Sequence, residues 1–372
     1  LTTTITESWT DRRRYAWLAS LVAPSMVFVA FALVQAMGSA WFWWTGPAVV
    51  YVLVPVLDTL FGADTSNVPE SAIEGHEADR YYRWILFGTL PLQWASLVLG
   101  VWVATQYSLS PLQWLGLMLT VGTASSAGIN AAHEWGHKRD AFAHWCAKFS
   151  LAPAAYGHFF VEHNRGHHKN VATFEDPASA RLGESYWAFV PRTMIGSVRS
   201  AWRIEGERLA MLGRPALSIH NDNLQAWAIT VVSFALLTIA FGWSALLLLV
   251  PQAVYAITLL EAVNYIEHYG LRRQVVDGRV ERCEPRHSWN SNQVASNLML
   301  YQLQRHSDHH ANPRRAYQNL RHFDDSPQLP TGYGGLIPVA LIPPLWFRVM
   351  NPRVLAHYDG DVSRANLQPG FR

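Results

Sequence analysis

Apolar residues along this chain gather into long runs separated by short polar breaks. Six runs, Tyr15 to Met37, Trp41 to Phe61, Tyr81 to Thr105, Pro111 to Ala132, Leu224 to Phe241 and Trp243 to Val263, come close to the roughly 20 residues a helix needs to cross a bilayer's hydrocarbon core. The first two are joined by so few residues that they predict an antiparallel hairpin, and T-Q-Y-S-L-S between the third and fourth is only a turn. The second run opens on Trp41, Phe42, Trp43 and Trp44, as expected of an aromatic belt at a membrane interface. Asp58, near its other end, reads equally as an acid of a functional site or as an interfacial carboxylate at a helix end. A further apolar piece, Gly334 to Phe347, is broken by Pro338, Pro343 and Pro344. That makes it a poor span, expected to pack on the polar cap or lie at the interface. The pattern predicts an all-α polytopic membrane protein in one domain over residues 1–372. Six transmembrane helices would carry a helical cap built from residues 133–223 and 264–372.

Composition agrees. Half of the chain is apolar, 15% is charged and 17 residues are Trp, the balance of a membrane protein and not of two soluble domains. A net charge of +2 is too small to imply nucleic acid. Neither an internal repeat nor a low-complexity tract is visible, and the first apolar run is too long for a cleavable signal peptide. The start at Leu1 instead of Met reads as a trimmed terminus. None of the 29 Lys and Arg falls in the short connections after the first, third and fifth runs, whereas Arg12 to Arg14, Arg80, Lys138, Arg139, Arg272 and Arg273 flank the other ends. The positive-inside rule then puts both termini and both polar stretches in the cytosol. Cys146 and Cys283 stand far apart and are expected to be free thiols. Without a C-x-x-C pair the chain cannot build a rubredoxin-type or iron-sulfur site of its own.

Candidate chemistry is concentrated in histidine. His133 and His137 stand in H-E-W-G-H-K, His163, His167 and His168 in E-H-N-R-G-H-H, His268 in N-Y-I-E-H-Y-G-L, and His306, His309 and His310 in L-Q-R-H-S-D-H-H. All four clusters follow even-numbered runs, so all face the same side and can share one site. Taken alone, H-E-W-G-H-K matches the zinc-protease pattern, with Glu134 as general base. The other clusters count against that reading. Histidines at i and i+4 share a helix face, while the adjacent His167 and His168, or His309 and His310, splay by about 100° and suit two neighbouring ions. Nine imidazoles for two metals fit iron with an open position better than closed tetrahedral zinc. Glu134, Glu162, Glu267 and Asp308 stand beside these histidines and are candidates to orient their rings from behind. His76, His144, His158, His220, His287, His322 and His357 read as packed or interfacial residues, with His287 in H-S-W-N-S-N the foremost exception.

The four motifs, H-E-W-G-H-K, E-H-N-R-G-H-H-K, N-Y-I-E-H-Y-G-L and L-Q-R-H-S-D-H-H-A, resemble those of the bacterial membrane alkane monooxygenases, within the membrane histidine-rich diiron hydroxylases and desaturases. The resemblance covers essentially the whole chain. It implies six transmembrane helices in the bacterial inner membrane and a non-haem site of two iron ions held by the nine histidines. The implied reaction is terminal hydroxylation of alkanes with dioxygen, with electrons from rubredoxin, itself served by a rubredoxin reductase. Some members of the family carry a fused rubredoxin. This chain has none, and its closing Gln368 to Arg372 reads as a linker cut short. The nearest rival is an acyl-lipid desaturase or fatty-acid hydroxylase; readings from other classes are an intramembrane zinc protease and a histidine-rich metal carrier.

Three finer expectations follow. From helical splay, His133, His137, His167 and His309 should hold one metal and His163, His168, His268, His306 and His310 the other, without bridging carboxylates. An apolar tunnel between the first four spans and the sixth should admit substrate sideways from the lipid. An acidic rubredoxin should dock among Lys138, Arg139, Arg165, Lys169, Arg272, Arg273, Arg314, Arg315 and Arg321.

Overall fold

The computed structural model describes residues 9–370, so the first eight residues and the last two, where a linker was expected, lie outside the description. Among the described residues, five helices are long and apolar enough to cross a membrane: α1 (Arg14–Met37), α2 (Ala40–Phe61), α4 (Arg80–Gln106), α8 (Asp222–Phe241) and α9 (Ala245–His268). The short α3 (Glu70–Ala78) precedes α4. The protein is a helical membrane protein, as the apolar runs predict.

The expected fourth span forms a continuous helix, α5 (Pro111–Gly136), but it is not among those five. Its Gly, Ser, Thr and Asn residues lower its hydropathy, and its position explains why that is tolerated. It packs against α1, α2, α4 and α9 at once, so lipid contributes little to its surroundings and small residues are favoured where backbones meet. Among the glycines of α5, Gly122 approaches backbone most tightly: a Cβ there would lie 2.8 Å from the Gln252 carbonyl oxygen and 2.6 Å from the Tyr255 ring. Gly122→Val is therefore expected to destabilise the bundle by about 1–3 kcal/mol, the usual range for overpacking. A lowered unfolding midpoint in lipid nanodiscs would register it.

Helix α2 is not uniform. It begins as a 3-10 turn over Ala40–Trp44 and widens to a π turn over Val49–Leu53 before resuming at Val54. Pro55 accounts for the widening, because its ring lacks an N–H and would press on the carbonyl one turn back. Asp58 is buried, and it accepts the Ser296 backbone N–H at 2.8 Å and the Ser296 hydroxyl, tying α2 to a short cap helix, α10 (Val294–Met299).

Beyond α5 the chain forms α6 (Ala141–Leu151) and then a helical stretch over residues 159–170 whose centre, Glu162–His167, is a π turn. Helix α7 (Tyr186–Met211) leads to α8. After α9 come α10, α11 (His306–Ala311), α12 (Tyr333–Ala340) and α13 (Pro343–His357). The apolar piece with three prolines is indeed broken, at Leu341 and Ile342, and α12 buries Leu336, Ile337 and Ala340 in a core shared with α9. The all-α reading needs one small amendment: Val275–Val276 pairs antiparallel with Arg279–Val280 around Asp277-Gly278, both at positive φ, the two-residue hairpin turn that Asp-Gly favours.

Candidate metal centre

Four separate stretches bring the nine histidines together. His133 rides the last turn of α5, with His137 just past its end. His163, His167 and His168 come from the π turn and the residue after it; His268 ends α9; His306, His309 and His310 occupy α11. They fall into two groups. His133, His137, His163, His168 and His309 form one, and His167, His268, His306 and His310 the other, with the ligand atoms of each group all within 4.8 Å of one another.

The separations suit a metal. Within the first group the Nε2 atoms of His137 and His163 lie 3.3 Å apart, those of His163 and His168 3.0 Å, and those of His168 and His309 3.0 Å. In the second, His167 to His310 is 3.2 Å, His268 to His306 3.2 Å and His306 to His310 2.9 Å. For metal–nitrogen bonds of about 2.1 Å, neighbouring ligand atoms stand roughly 3.0 Å apart at right angles and roughly 3.4 Å apart at the tetrahedral angle. Imidazoles converging through the same nitrogen cannot all be satisfied by one another. His133 Nε2 is buried without any partner. Burial first, and the neighbouring rings second, hold His163, His168, His306, His309 and His310 well below the ordinary histidine range, so these rings are in the neutral form that binds metals.

The grouping differs from the one expected from helical splay. His167 belongs with His310 and not with His309, while His163 and His168 join His133 and His137. The π turn is the reason. Its wider i to i+5 hydrogen-bonding brings His163 and His168 into one group and turns the intervening His167 toward the other, which an α-helical wheel cannot anticipate.

The acids divide in a way adjacency did not foretell. Glu134 accepts from Lys138 at 2.5 Å and from the Tyr317 backbone at 3.4 Å. Asp308 is held by Arg321 at 3.0 Å and by Asn312 at 2.7 Å. Neither of these two orients an imidazole. Glu267 is the acid that reaches a metal-facing nitrogen, with Oε2 3.1 Å from His306 Nε2, while Oε1 accepts the Tyr333 hydroxyl at 2.6 Å. Glu162 lines a small polar cavity with Tyr156, His163, His167, Glu261 and Asn264, and its Oε1 has no partner. Burial, with Asp176 adding to it, pushes its carboxyl up to about 8.

Asp176 is the site residue that the sequence reading missed. Its Oδ2 stands 2.9 Å from His167 Nδ1, and it is fixed by the Ser179 hydroxyl at 2.6 Å and the Ala178 N–H at 3.1 Å. Burial pulls the His167 ring downward, yet the Asp176 carboxylate outweighs it and the net shift is upward. Nine residues beyond its imidazole and in a loop, Asp176 carries no periodic signal.

N-Y-I-E-H-Y-G-L can now be read side chain by side chain. Tyr265 donates to the Glu184 carbonyl at 2.6 Å and Tyr269 to Asn351 at 2.8 Å, locking the end of α9 that presents His268. Gly270, at φ +75°, lets the chain leave against Val354, where a Cβ would come within 2.8 Å. Of the other histidines, His144 faces the Lys138 carbonyl at 2.8 Å and His76 faces Asn319 at 2.7 Å. His287 pairs with Glu281 at 3.0 Å, away from both groups.

Relatives match this chain over nearly its whole length. The fatty acid desaturase family matches residues 109–339, a stretch that contains all nine histidines. Alkane 1-monooxygenase 1 of Alcanivorax borkumensis is 43% identical over 98% of this chain and 91% of its own. Alkane 1-monooxygenase of Pseudomonas putida is likewise 43% identical, over 98% and 91%. That of Acinetobacter baylyi is 41% identical over 97% and 90%.

Proposed function

Since the chain belongs to the alkane 1-monooxygenase family, we propose that its two histidine groups hold iron ions and that it hydroxylates the terminal methyl group of alkanes with dioxygen. It is an oxidoreductase of the membrane. The paired iron would supply the oxidising power for an unactivated C–H bond, which no side chain possesses. Binding and placement fall to the protein. The observation that carries the reading is an apolar cavity next to the histidine-bearing ends of α5 and α9, with walls from α1 (Ala23, Met26), α2 (Val50, Val54), α5 (Thr123, Ala127, Asn130), α9 (Leu259, Leu260, Val263) and the cap (Leu303, Tyr333, Ile337). Asn130 lies three residues before His133, and Leu303 three before His306. An alkane has no polar handle, so an apolar channel must select its end by shape. The third span, expected among the walls, contributes none of these lining residues.

Substrate is best supplied from the lipid, because each methylene favours it over water by about 0.8 kcal/mol. Ala127→Phe should then shorten the longest alkane accepted and leave short ones turning over, as read from product profiles across a chain-length series. An unchanged profile would remove the cavity from the substrate path.

The electron donor is proposed to be rubredoxin, docking on the cytosolic face of a bacterial inner membrane. Several of the expected docking cations are engaged within the fold: Arg165 with Glu205 and Asp222, Arg321 with Asp308, Lys138 with Glu134. Arg139, Lys169 and Arg314 remain exposed, each within four residues of a ligand histidine. His137 and His168 are only partly buried, so the five-histidine group offers the shorter path for electrons. Charge reversal at Arg314 and Lys169 should raise the apparent Michaelis constant for rubredoxin and blunt its salt dependence, with turnover at saturating donor little changed.

The protease reading fails on geometry, since His133 and His137 share their site with three further imidazoles and Glu134 is occupied by Lys138. The decisive experiment is iron content together with conversion of a medium-chain alkane by reduced rubredoxin. Primary alcohol supports the reading. Alkene would move the chain to the desaturases, and a single zinc would exclude it from both.

A further inference from the structure

Helix α7 has its sides reversed for a helix in water. Its inner face buries Phe189, Thr193, Ser197, Ala201 and Glu205 against the histidine-bearing π turn and its neighbours. The outward stripe at i, i+4, i+8, i+11 and i+15 is Trp187, Pro191, Ile195, Val198 and Trp202, and Trp187 and Ile195 are 61% and 54% exposed. We propose that α7, although it lies between two spans in a stretch expected to be cytosolic, rests in the plane of the membrane with this stripe in the lipid.

Three observations place lipid there. Tyr186, at the start of α7, donates to the Thr258 carbonyl in the middle of α9 at 2.7 Å. Glu205, near its end, accepts the Asp222 backbone N–H at the start of α8 at 2.7 Å. Measured from the α8–α9 turn, Asp222 stands level with Tyr265, so Thr258 is deeper by roughly 10 Å at 1.5 Å per residue, against roughly 29 Å of helix between Tyr186 and Glu205. The helix therefore runs nearly parallel to the bilayer and slightly submerged. Second, Trp202 stacks on Trp227 of α8, with ring centroids 6.1 Å apart and planes at 5°, which joins the stripe to the outward face of an apolar helix long enough to span a membrane, whose Val231, Leu236 and Ile239 are exposed. Third, exposed Arg199 and Arg203 follow Val198 and Trp202, where their stems can cover apolar surface while their heads reach anionic headgroups.

The test uses the full metal-loaded chain in nanodiscs of phosphatidylethanolamine and phosphatidylglycerol, with Cys283→Ser to remove the accessible thiol. An environment-sensitive fluorophore is attached at Ile195→Cys, at Val198→Cys and, on the opposite flank, at Glu207→Cys; retained metal content certifies each fold. Doxyl-labelled lipids should quench positions 195 and 198 several-fold more than position 207, and aqueous iodide should show the reverse order. Iodide quenching at 195 and 198 equal to that at 207 would overturn the proposal in favour of a water-facing helix. Protection of 195 and 198 from both quenchers would overturn it in favour of a protein partner, a second copy of this chain included.

Discussion

A double variant with His167→Ala and His310→Ala is expected to keep about one metal ion per chain, whereas His167→Ala with His309→Ala should keep close to none. The first pair removes two ligands from the same group, and the second removes one from each. Both variants should lose hydroxylation by well over the roughly 10- to 100-fold typical of changes behind the ligands, because an ion missing from either position removes half of the proposed redox centre. Metal analysis of the purified chain reads the difference directly. Equal retention by the two variants would refute the partition. The experiment discriminates because adjacent and near-adjacent histidines are assigned to different ions, so sequence distance cannot mimic the result.

The second large effect is expected behind His167. Asp176 accepts from Nδ1 at 2.9 Å and thereby fixes both the tautomer that leaves Nε2 free for a metal and the plane of the ring. Asp176→Ala should lower metal affinity or activity by about 10- to 100-fold. Asp176→Asn should fall between, because an amide oxygen still accepts the hydrogen bond but without the charge that makes the ring more basic. Glu134→Gln, by contrast, should be mild, since that carboxylate touches Lys138 and a backbone N–H and not an imidazole. Metal affinity by competition with a chelator separates the three. A ranking in which Glu134→Gln costs more than Asp176→Ala would show that chain adjacency, and not the observed contacts, identifies the supporting acids.

What could be read from sequence follows the range of the forces involved. Long apolar runs report burial in lipid, a local property, so α1, α2, α4, α8 and α9 were visible within a few residues of their ends. Histidine spacing likewise gave all nine members of the two groups, because four clusters at the same membrane face leave few other places to converge. Three things depended on contacts between distant segments. The division of the ligands turns on a π turn whose only local cue is the crowding of E-H-N-R-G-H-H. Asp176 reaches His167 through a loop fixed by Ser179, which no periodicity records. Asp58 was ambiguous until Ser296, on a helix more than two hundred positions later, supplied its partner. The outward stripe of α7 was not singled out from sequence, and its proposed depth in the membrane rests on the heights of Thr258 and Asp222 on their spans.

The dispersal of the ligands sets an order of events for a chain still being made. His167 and His310 meet across 143 residues, and α8 and α9 must be in place between them. At translation rates of about 5–20 residues per second, His310 leaves the ribosome roughly 7–30 s after His167. Neither group is complete before α11 exists, so metal cannot nucleate the bundle in the way it nucleates a zinc finger. The scaffold that keeps these imidazoles neutral and aimed must be assembled from lipid-driven insertion and side-chain contacts alone, with metal entering a finished vessel. Metal starvation should therefore leave an inserted, folded apoprotein that the proposed iron, supplied later, can load without new synthesis.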